Sequence, residues 1–413
     1  MTDMNRQDAK DARRKLPDGW RWVRLGEAIR AAQLGFACGE RDPNGTVQLR
    51  MNNVTDRGGF DWTTTTRVPS DSETIQMYRL QLGDVLFNNT NSTDLVGKTA
   101  MFAGFDEPVV FSNHFTRLRT LDDLLSPSFL ALWLRKQWQN RLFANICNRW
   151  IGQSAVQRDK LLALEIPLPP LPEQQRIAAI LNEQMASVEG ARAATEARLE
   201  AAKALLAAYL DATFDSQEIR RWPSEPLGYV LQLRKEIVHP RDNPKGPATF
   251  VGLEHIESIT GRRIGSIDLE KAALTGRKPQ FYTDDIVYGY LRPYLNKVWV
   301  AEFDGLCSVD QYVYSVDRDK ANTEFVAWFM RSPGYLRSAP IGTSPGQLPR
   351  IRTEEVSSVE IHLPPIAEQE RIVRNLKAQV DATERVRKGV AEELAAIGVL
   401  PAALLRRAFS RAL

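Results

Sequence analysis

Several short runs in this chain carry side chains suited to multidentate hydrogen bonding. In the first half, "LRMNN" presents Arg50, Asn52 and Asn53, with Arg57 close behind. "FNNTNST" presents Asn88, Asn89 and Asn91, and Lys98 follows in "LVGKTA". In the second half, "TGRRIG" presents Arg262 and Arg263, and "GYLRPYLNK" presents Arg292, Tyr294 and Lys297. Two further segments, "NRWIGQSAVQR" with Gln153 and "GTSPGQLPRIR" with Gln347 and Arg350, stand shortly before prolines that open long helical patterns. Guanidinium and carboxamide groups suit flat targets with several acceptors, such as base edges, and Arg and Lys also hold phosphate oxygens. The same residues have plainer uses. Asn-rich turns bend or cap the chain, and Arg292 beside Pro293 suits an ion pair at a rigid corner.

Bond-making chemistry finds no frame here. His114, His239, His255 and His362 are scattered, and Cys38, Cys147 and Cys307 are odd in number without metal-ligand spacing. The cysteines read as reduced, buried thiols. "LVGKTA" contains Gly-Lys-Thr but lacks the upstream glycine of a phosphate-binding loop. With 413 residues, 43% hydrophobic and 25% charged, the chain has ordinary globular composition and room for two cores. Its net charge of +3 is too small to diagnose a nucleic-acid binder by itself. No apolar run is long enough for a bilayer, and the polar opening residues do not read as a signal peptide, so a cytoplasmic protein is expected.

The elements that position these side chains occur twice. "LPPLPEQQRIAAIL" from Leu168 is echoed by "LPPIAEQERIVRNL" from Leu363, and Glu173 and Glu368 lie 195 residues apart. The echo extends upstream: "LGDVLFNN" resembles "TDDIVYGY", Lys98 aligns with Lys297, and "SPSFLALWLRKQ" resembles "NTEFVAWFMRSP". So long a period indicates duplication of a whole unit rather than a solenoid. Each copy reads as short strands cut by turn residues, one short amphipathic helix, and a long closing helix entered through two prolines. Apolar positions recur three or four apart in both long helices. The first runs Leu181, Met185, Val188, Ala191, Thr195, Leu199, Ala202, Leu206, Tyr209; the second runs Leu376, Val380, Thr383, Val386, Val390, Leu394, Ile397, Leu400, Leu404. That spacing predicts a coiled-coil seam. Pro401 is expected to kink or end the second helix. The repeated Glu173, Gln174, Arg176 and Glu368, Gln369, Arg371 mark a joint, the glutamines as caps and the arginines as bridges to the neighbouring domain. What stays the same in both copies must meet something the same: the partner helix, or two copies of one partner.

The paired proline–EQ–RI helices, with "LPDGWRWVRLGE", "GDVLFNNTNSTDLVGKTA" and "YLRPYLNKVWVAEFDG", resemble the specificity subunits of type I restriction–modification systems, from about Leu16 to the end. The resemblance implies an α+β fold with two duplicated, mostly-β target recognition domains. Two long helices between them form an antiparallel coiled coil with pseudo-two-fold arrangement. The boundaries expected are an N-terminal segment 1–21, domain one 22–165, a central helix and linker 166–221, domain two 222–362 and a C-terminal helix 363–413. The resemblance further implies double-stranded DNA, two modification (methyltransferase) subunits and restriction subunits as partners. It implies no catalysis or cofactor in this chain, with S-adenosylmethionine, ATP and Mg on the partner subunits. The chain agrees in lacking a Gly-rich methyltransferase loop and an "NPPF" or "DPPY" tetrapeptide; its double prolines sit in "LPPL" and "LPPI". Two other readings stay open on residues alone: an enzyme with its own DNA-modifying site, and a stand-alone two-domain adaptor.

Overall fold

The computed structural model describes residues 16–239, 242, 245–342 and 348–410. Contacts divide the chain into two units. Unit 1 comprises Met1–Arg192 and Ala395–Leu413, and unit 2 comprises Ala193–Leu394. The division falls inside the long helices, so each helix contributes to both units.

Unit 1 is built on a four-stranded antiparallel sheet of β1 (Ile29–Leu34), β2 (Val85–Asn88), β3 (Thr99–Met101) and β4 (Phe115–Thr120), in the order β1-β4-β2-β3. Unit 2 repeats it with β5 (Leu231–Leu233), β6 (Ile286–Gly289), β7 (Val298–Val300) and β8 (Gln311–Val316), in the order β5-β8-β6-β7. A second sheet carries one parallel pairing in each unit: Thr46–Leu49 beside Val109–Phe111, and Pro247–Val251 beside Gly305–Cys307. A two-stranded ribbon closes each domain, Arg21–Arg24 with Glu165–Leu168 and Ser224–Pro226 with Glu360–His362. The chain is therefore α+β, with the same plan executed twice.

Four helices carry the rest of the argument. The short α1 (Pro127–Gln139) and α3 (Thr323–Arg331) each begin at a capping residue: Ser126 Oγ accepts from Phe129 N at 3.5 Å, and Asn322 Oδ1 accepts from Phe325 N at 3.1 Å. The long α2 (Leu171–Phe214) and α4 (Ile366–Ser410) follow the two proline-marked joints. At 44 residues, α2 is about 66 Å long. In unit 1, Ile177, Leu181 and Met185 of α2 share a core with Leu405 and Ala408 of α4, while Val188 and Arg192 lie by Ile397 and Pro401. Rising numbers on one helix thus meet falling numbers on the other, which makes the pair antiparallel. In unit 2, Leu206, Leu210 and Phe214 share a core with Ile372, Val373 and Leu376, and Arg198 pairs with Glu393 at 3.0 Å. Phe409 packs on Phe129 at 5.3 Å between ring centroids, and Phe214 packs on Phe325 at 5.4 Å. Each short helix therefore receives the last aromatic of a long one.

The seam differs from its sequence reading at three places. Ala191 and Val386 are exposed, and Arg192 and Arg387 take their positions, half-buried. The observed spacing then keeps a regular alternation of four and three: Leu181, Met185, Val188, Arg192, Thr195, Leu199, Ala202. Leu400 is 43% exposed, and Pro401 lies half-buried in its place. The third difference is Pro401 itself: α4 continues through it to Ser410. A proline inside a helix costs about 3 kcal/mol or more. Burying Leu405 and Ala408, with Leu404 and Phe409 packed beside them, offsets that cost. Among the described residues, no helix is long and apolar enough to cross a membrane.

Candidate nucleic-acid interface and its joints

The duplicated motif resolves first into a buried glutamine. In unit 1, Ser126 N donates to Gln174 Oε1 at 2.9 Å, and Gln174 Nε2 donates to the carbonyls of Leu124 (2.9 Å) and Pro169 (2.8 Å). In unit 2, Asn322 N donates to Gln369 Oε1 at 2.8 Å, and Gln369 Nε2 donates to the carbonyls of Lys320 (3.4 Å) and Pro364 (2.7 Å). Both side chains are fully buried. The glutamines were expected to cap their own helices; instead each hooks the capping residue of the short helix to the first turn of the long one. A carboxamide is the one group there that can accept one bond and donate two.

The flanking charges stay at the surface. Arg176 grips Glu173 (2.7 Å) and Arg371 grips Glu368 (2.8 Å), which holds both carboxylates below the usual range. Arg371 also reaches Glu218 of unit 2 at 3.3 Å.

Beneath each domain a buried arginine supports a loop. Arg331 is fully buried with its Nε donating to the Val298 carbonyl at 3.0 Å, its guanidinium stacks over Trp328 at 4.3 Å, and desolvation pushes its pKa down to about 10. Arg135 occupies the matching place in α1, with Met185 Sδ at 4.0 Å. Gly261 and Gly58, both at positive φ (64° and 79°), lie directly on these side chains.

The sequence-selected residues separate into three groups. Asn53, Asn88, Asn89 and Lys98 are buried, which removes them from the candidate interface as drawn from sequence. Asn53 bonds the Asp61 and Thr64 carbonyls, Asn89 bonds Thr116 Oγ1, and Lys98 Nζ donates to the Val54 carbonyl at 2.5 Å. Lys297 makes the matching bond to the Leu253 carbonyl at 2.5 Å and is half-buried. Burial lowers the Lys98 ammonium below its ordinary value. Arg50, also half-buried, bonds the Cys38 carbonyl at 2.9 Å. Asn88 is buried with no side-chain hydrogen bond among the described residues, and the other side chains hold loops.

A second group lies on the loops beside the long helices. Arg57 pairs with Glu189 at 2.6 Å, and Arg262 lies 3.2 Å from Glu257 and 3.7 Å from Glu384. Glu189 and Glu384 are again 195 apart, so each domain leans on the same register of its helix. Arg263 pairs with Glu302 at 3.1 Å over the Phe303 ring, and Asn52 is exposed.

The third group is assembled at one edge of each domain. In unit 1, the strand Gln153–Ala155 pairs with Asn148–Trp150 on one side and Thr90–Asn91 on the other, setting Asn91 opposite Ser154 and next to Gln153. In unit 2, Arg350 bridges both Leu291 and Gly342, and Arg292 N donates to the Pro349 carbonyl at 2.8 Å. Arg292, Tyr294 and Arg350 are exposed together, and Arg292 adopts a left-handed φ of 53°. The expected buried ion pair is not what Arg292 forms among the described residues. Gln347 lies outside the described residues. Sequence reasoning missed the stacked Tyr290 and Tyr312 (4.2 Å between centroids) behind this edge, and the exposed Trp150 and Ile151 in unit 1. The absence of Asp and Glu from Leu124 to Arg158 was the available signal for the latter.

Known proteins match this architecture. The family model described as the type I restriction modification DNA specificity domain matches residues 38–195. The EcoDI specificity subunit of Escherichia coli is 24% identical over 427 residues, covering 96% of this chain and 89% of the relative. The putative MjaX specificity subunit of Methanocaldococcus jannaschii is 25% identical over 393 residues, covering 91% and 90%. Among solved structures, a chain from a type I R-M system studied for complex assembly and conformational transition superposes with a TM-score of 0.73 at 22% identity, covering 96% of this chain and 98% of the other. The HsdS subunit from Thermoanaerobacter tengcongensis gives 0.60 at 21% identity, covering 97% and 99%. These last two establish the shared fold. Together with the duplicated proline–EQ–RI joints, the curated matches make this chain similar, over nearly its full length, to specificity subunits of type I restriction–modification systems.

Proposed function

We propose that this chain supplies DNA sequence specificity to a type I restriction–modification complex, each β-rich domain reading one half of an asymmetric, bipartite duplex site. The observation that carries the reading is a contrast. The glutamine joints recur bond for bond, whereas the assembled edges hold Asn91 and Gln153 in one unit and Arg292, Tyr294 and Arg350 in the other. A surface that meets two copies of one partner must be the same twice, and a surface that reads two half-sequences must differ. In this reading the helices receive two modification subunits, beside the outward Glu173–Arg176 and Glu368–Arg371 pairs, and restriction subunits join through them. The long helices set the gap between half-sites. The chain itself catalyses nothing; S-adenosylmethionine, ATP and Mg belong to the partners, and the complex works on cytoplasmic DNA.

Methylome sequencing of cells with and without the gene tests this. The expected result is a two-part motif with a fixed internal gap, present only with the gene. Exchanging residues 222–362 for those of a relative changes one half alone. An uninterrupted motif, or change in both halves, overturns the reading. Deleting one heptad from both helices shortens the gap or abolishes modification, and an unchanged gap removes the spacer role.

A further inference from the structure

We infer that the hairpin Asn148–Ala155 is a groove probe: Trp150 and Ile151 at its tip enter a groove of duplex DNA and fix base preference in the half-site read by unit 1. The inference rests on the function proposed above and names the element that performs it. The two strands pair with Arg149 opposite Ser154 and Trp150 opposite Gln153, and Gly152 turns the tip at a φ of 78°. Trp150 is 61% exposed and Ile151 is fully exposed, although nothing in the fold of unit 1 requires large apolar groups there.

The root of the hairpin is held firmly. Ser154 Oγ lies 2.7 Å from Thr93 Oγ1, Arg149 donates to the Ala144 carbonyl at 2.8 Å, and Lys160 Nζ donates to the Ile146 carbonyl and Asn148 Oδ1 at 3.0 Å each. A stiff root and an apolar tip in water describe a preorganised insert. Its charge identifies the occupant. No Asp or Glu occurs between Leu124 and Arg158; Arg149 and Lys160 present cations at the surface of the hairpin root, while Arg141 pairs with Asp94 at 2.5 Å and Arg158 lies 3.8 Å from Asp159. Cations flanking an apolar wedge suit a polyanion whose base steps can open, the arrangement by which apolar side chains enter DNA grooves.

The sequence of unit 2 differs at the aligned positions. Ala155 bridges Thr90 as Arg350 bridges Leu291, and the offset of 195 puts Pro345 and Gly346 in sequence where Trp150 and Ile151 stand. A strand bridge shared by both units beside sequence that differs is what two unlike half-sites require.

The test uses the complete complex with its modification subunits, and duplexes carrying the motif or that motif with either half scrambled. Trp150→Ala/Ile151→Ala is expected to weaken binding of the intact site roughly tenfold or more, by analogy with loss of base–aromatic contact. The loss disappears on duplexes whose unit 1 half is already scrambled, and Trp150→Phe retains most of the affinity. Unchanged affinity, or equal loss for both halves, overturns the inference and leaves the proposed function standing. A variant that folds but no longer assembles with the modification subunits marks the tip as a protein contact and also overturns it. A wild-type complex without site preference removes both.

Discussion

At Gln174 and Gln369 the two units make the same three hydrogen bonds to the same kinds of partner. At the outer strand edge they share the strand bridges and almost none of the side chains: a tryptophan–isoleucine hairpin tip in one, an arginine–tyrosine cluster in the other. Duplication has thus been kept where a buried carboxamide must satisfy three backbone groups at once, and lost where side chains meet only solvent. Under the function proposed above, geometry held at the joint leaves the chemistry of the edge free to differ.

The comparison breaks most readily at the joint itself. Gln174→Leu strands a buried N–H and two carbonyls, and is expected to destabilise the chain by about 3–5 kcal/mol in chemical denaturation. Gln369→Leu should cost somewhat less, since one of its bonds, to Lys320, is already long at 3.4 Å. A negligible effect at either position would mean that the repeated motif is kept for a partner alone. Next come the glycines. At Gly261 an added Cβ falls 2.1 Å from the Val298 carbonyl and 2.3 Å from Arg331 Nε, while at Gly58 the closest atom is Arg135 Cδ at 3.1 Å. Both alanine variants carry roughly 1–2 kcal/mol of left-handed strain, and Gly261→Ala should be clearly the worse in thermal unfolding.

Lys98 sharpens the same comparison through pH. Its pKa is lowered by burial, so the unfolded chain binds more protons than the folded one between the lowered value and the ordinary 10.5. Stability of unit 1 should therefore rise with pH through that window. Lys98→Met should flatten the rise, read by denaturation at several alkaline pH values. The smallest effect belongs to the helix latches. Glu189→Gln or Glu384→Gln removes a partly exposed pair and should cost under about 1 kcal/mol, diminishing with added salt.

The duplication, the strand-rich domains and the entry points of both long helices were legible because each leaves a local signature: proline pairs, turn residues and apolar period. The site was less legible. In β2 the run Val85, Leu86, Phe87, Asn88 is buried throughout, because a central strand is covered on both faces. An asparagine there reads from sequence like one on a half-exposed strand. Gln174 drew attention by its repetition, but two of its three partners, Ser126 and Leu124, lie 48 and 50 residues upstream, beyond any local pattern. In the seam, apolar Ala191 and Val386 drew the eye from Arg192 and Arg387, which hold the heptad positions. Only the packed helices reveal that the period runs through the charge.

The ownership of the last helix has a consequence for how the protein is made. Unit 2 is one continuous stretch, Ala193–Leu394, and has every residue of its core once that stretch has left the ribosome. Unit 1, synthesised first, waits for Leu405, Ala408 and Phe409 from the final turns of α4 to cover Phe129 and its neighbours. The earliest domain in translation is therefore the last to be sealed. A chain without those turns would carry one finished core and one left open.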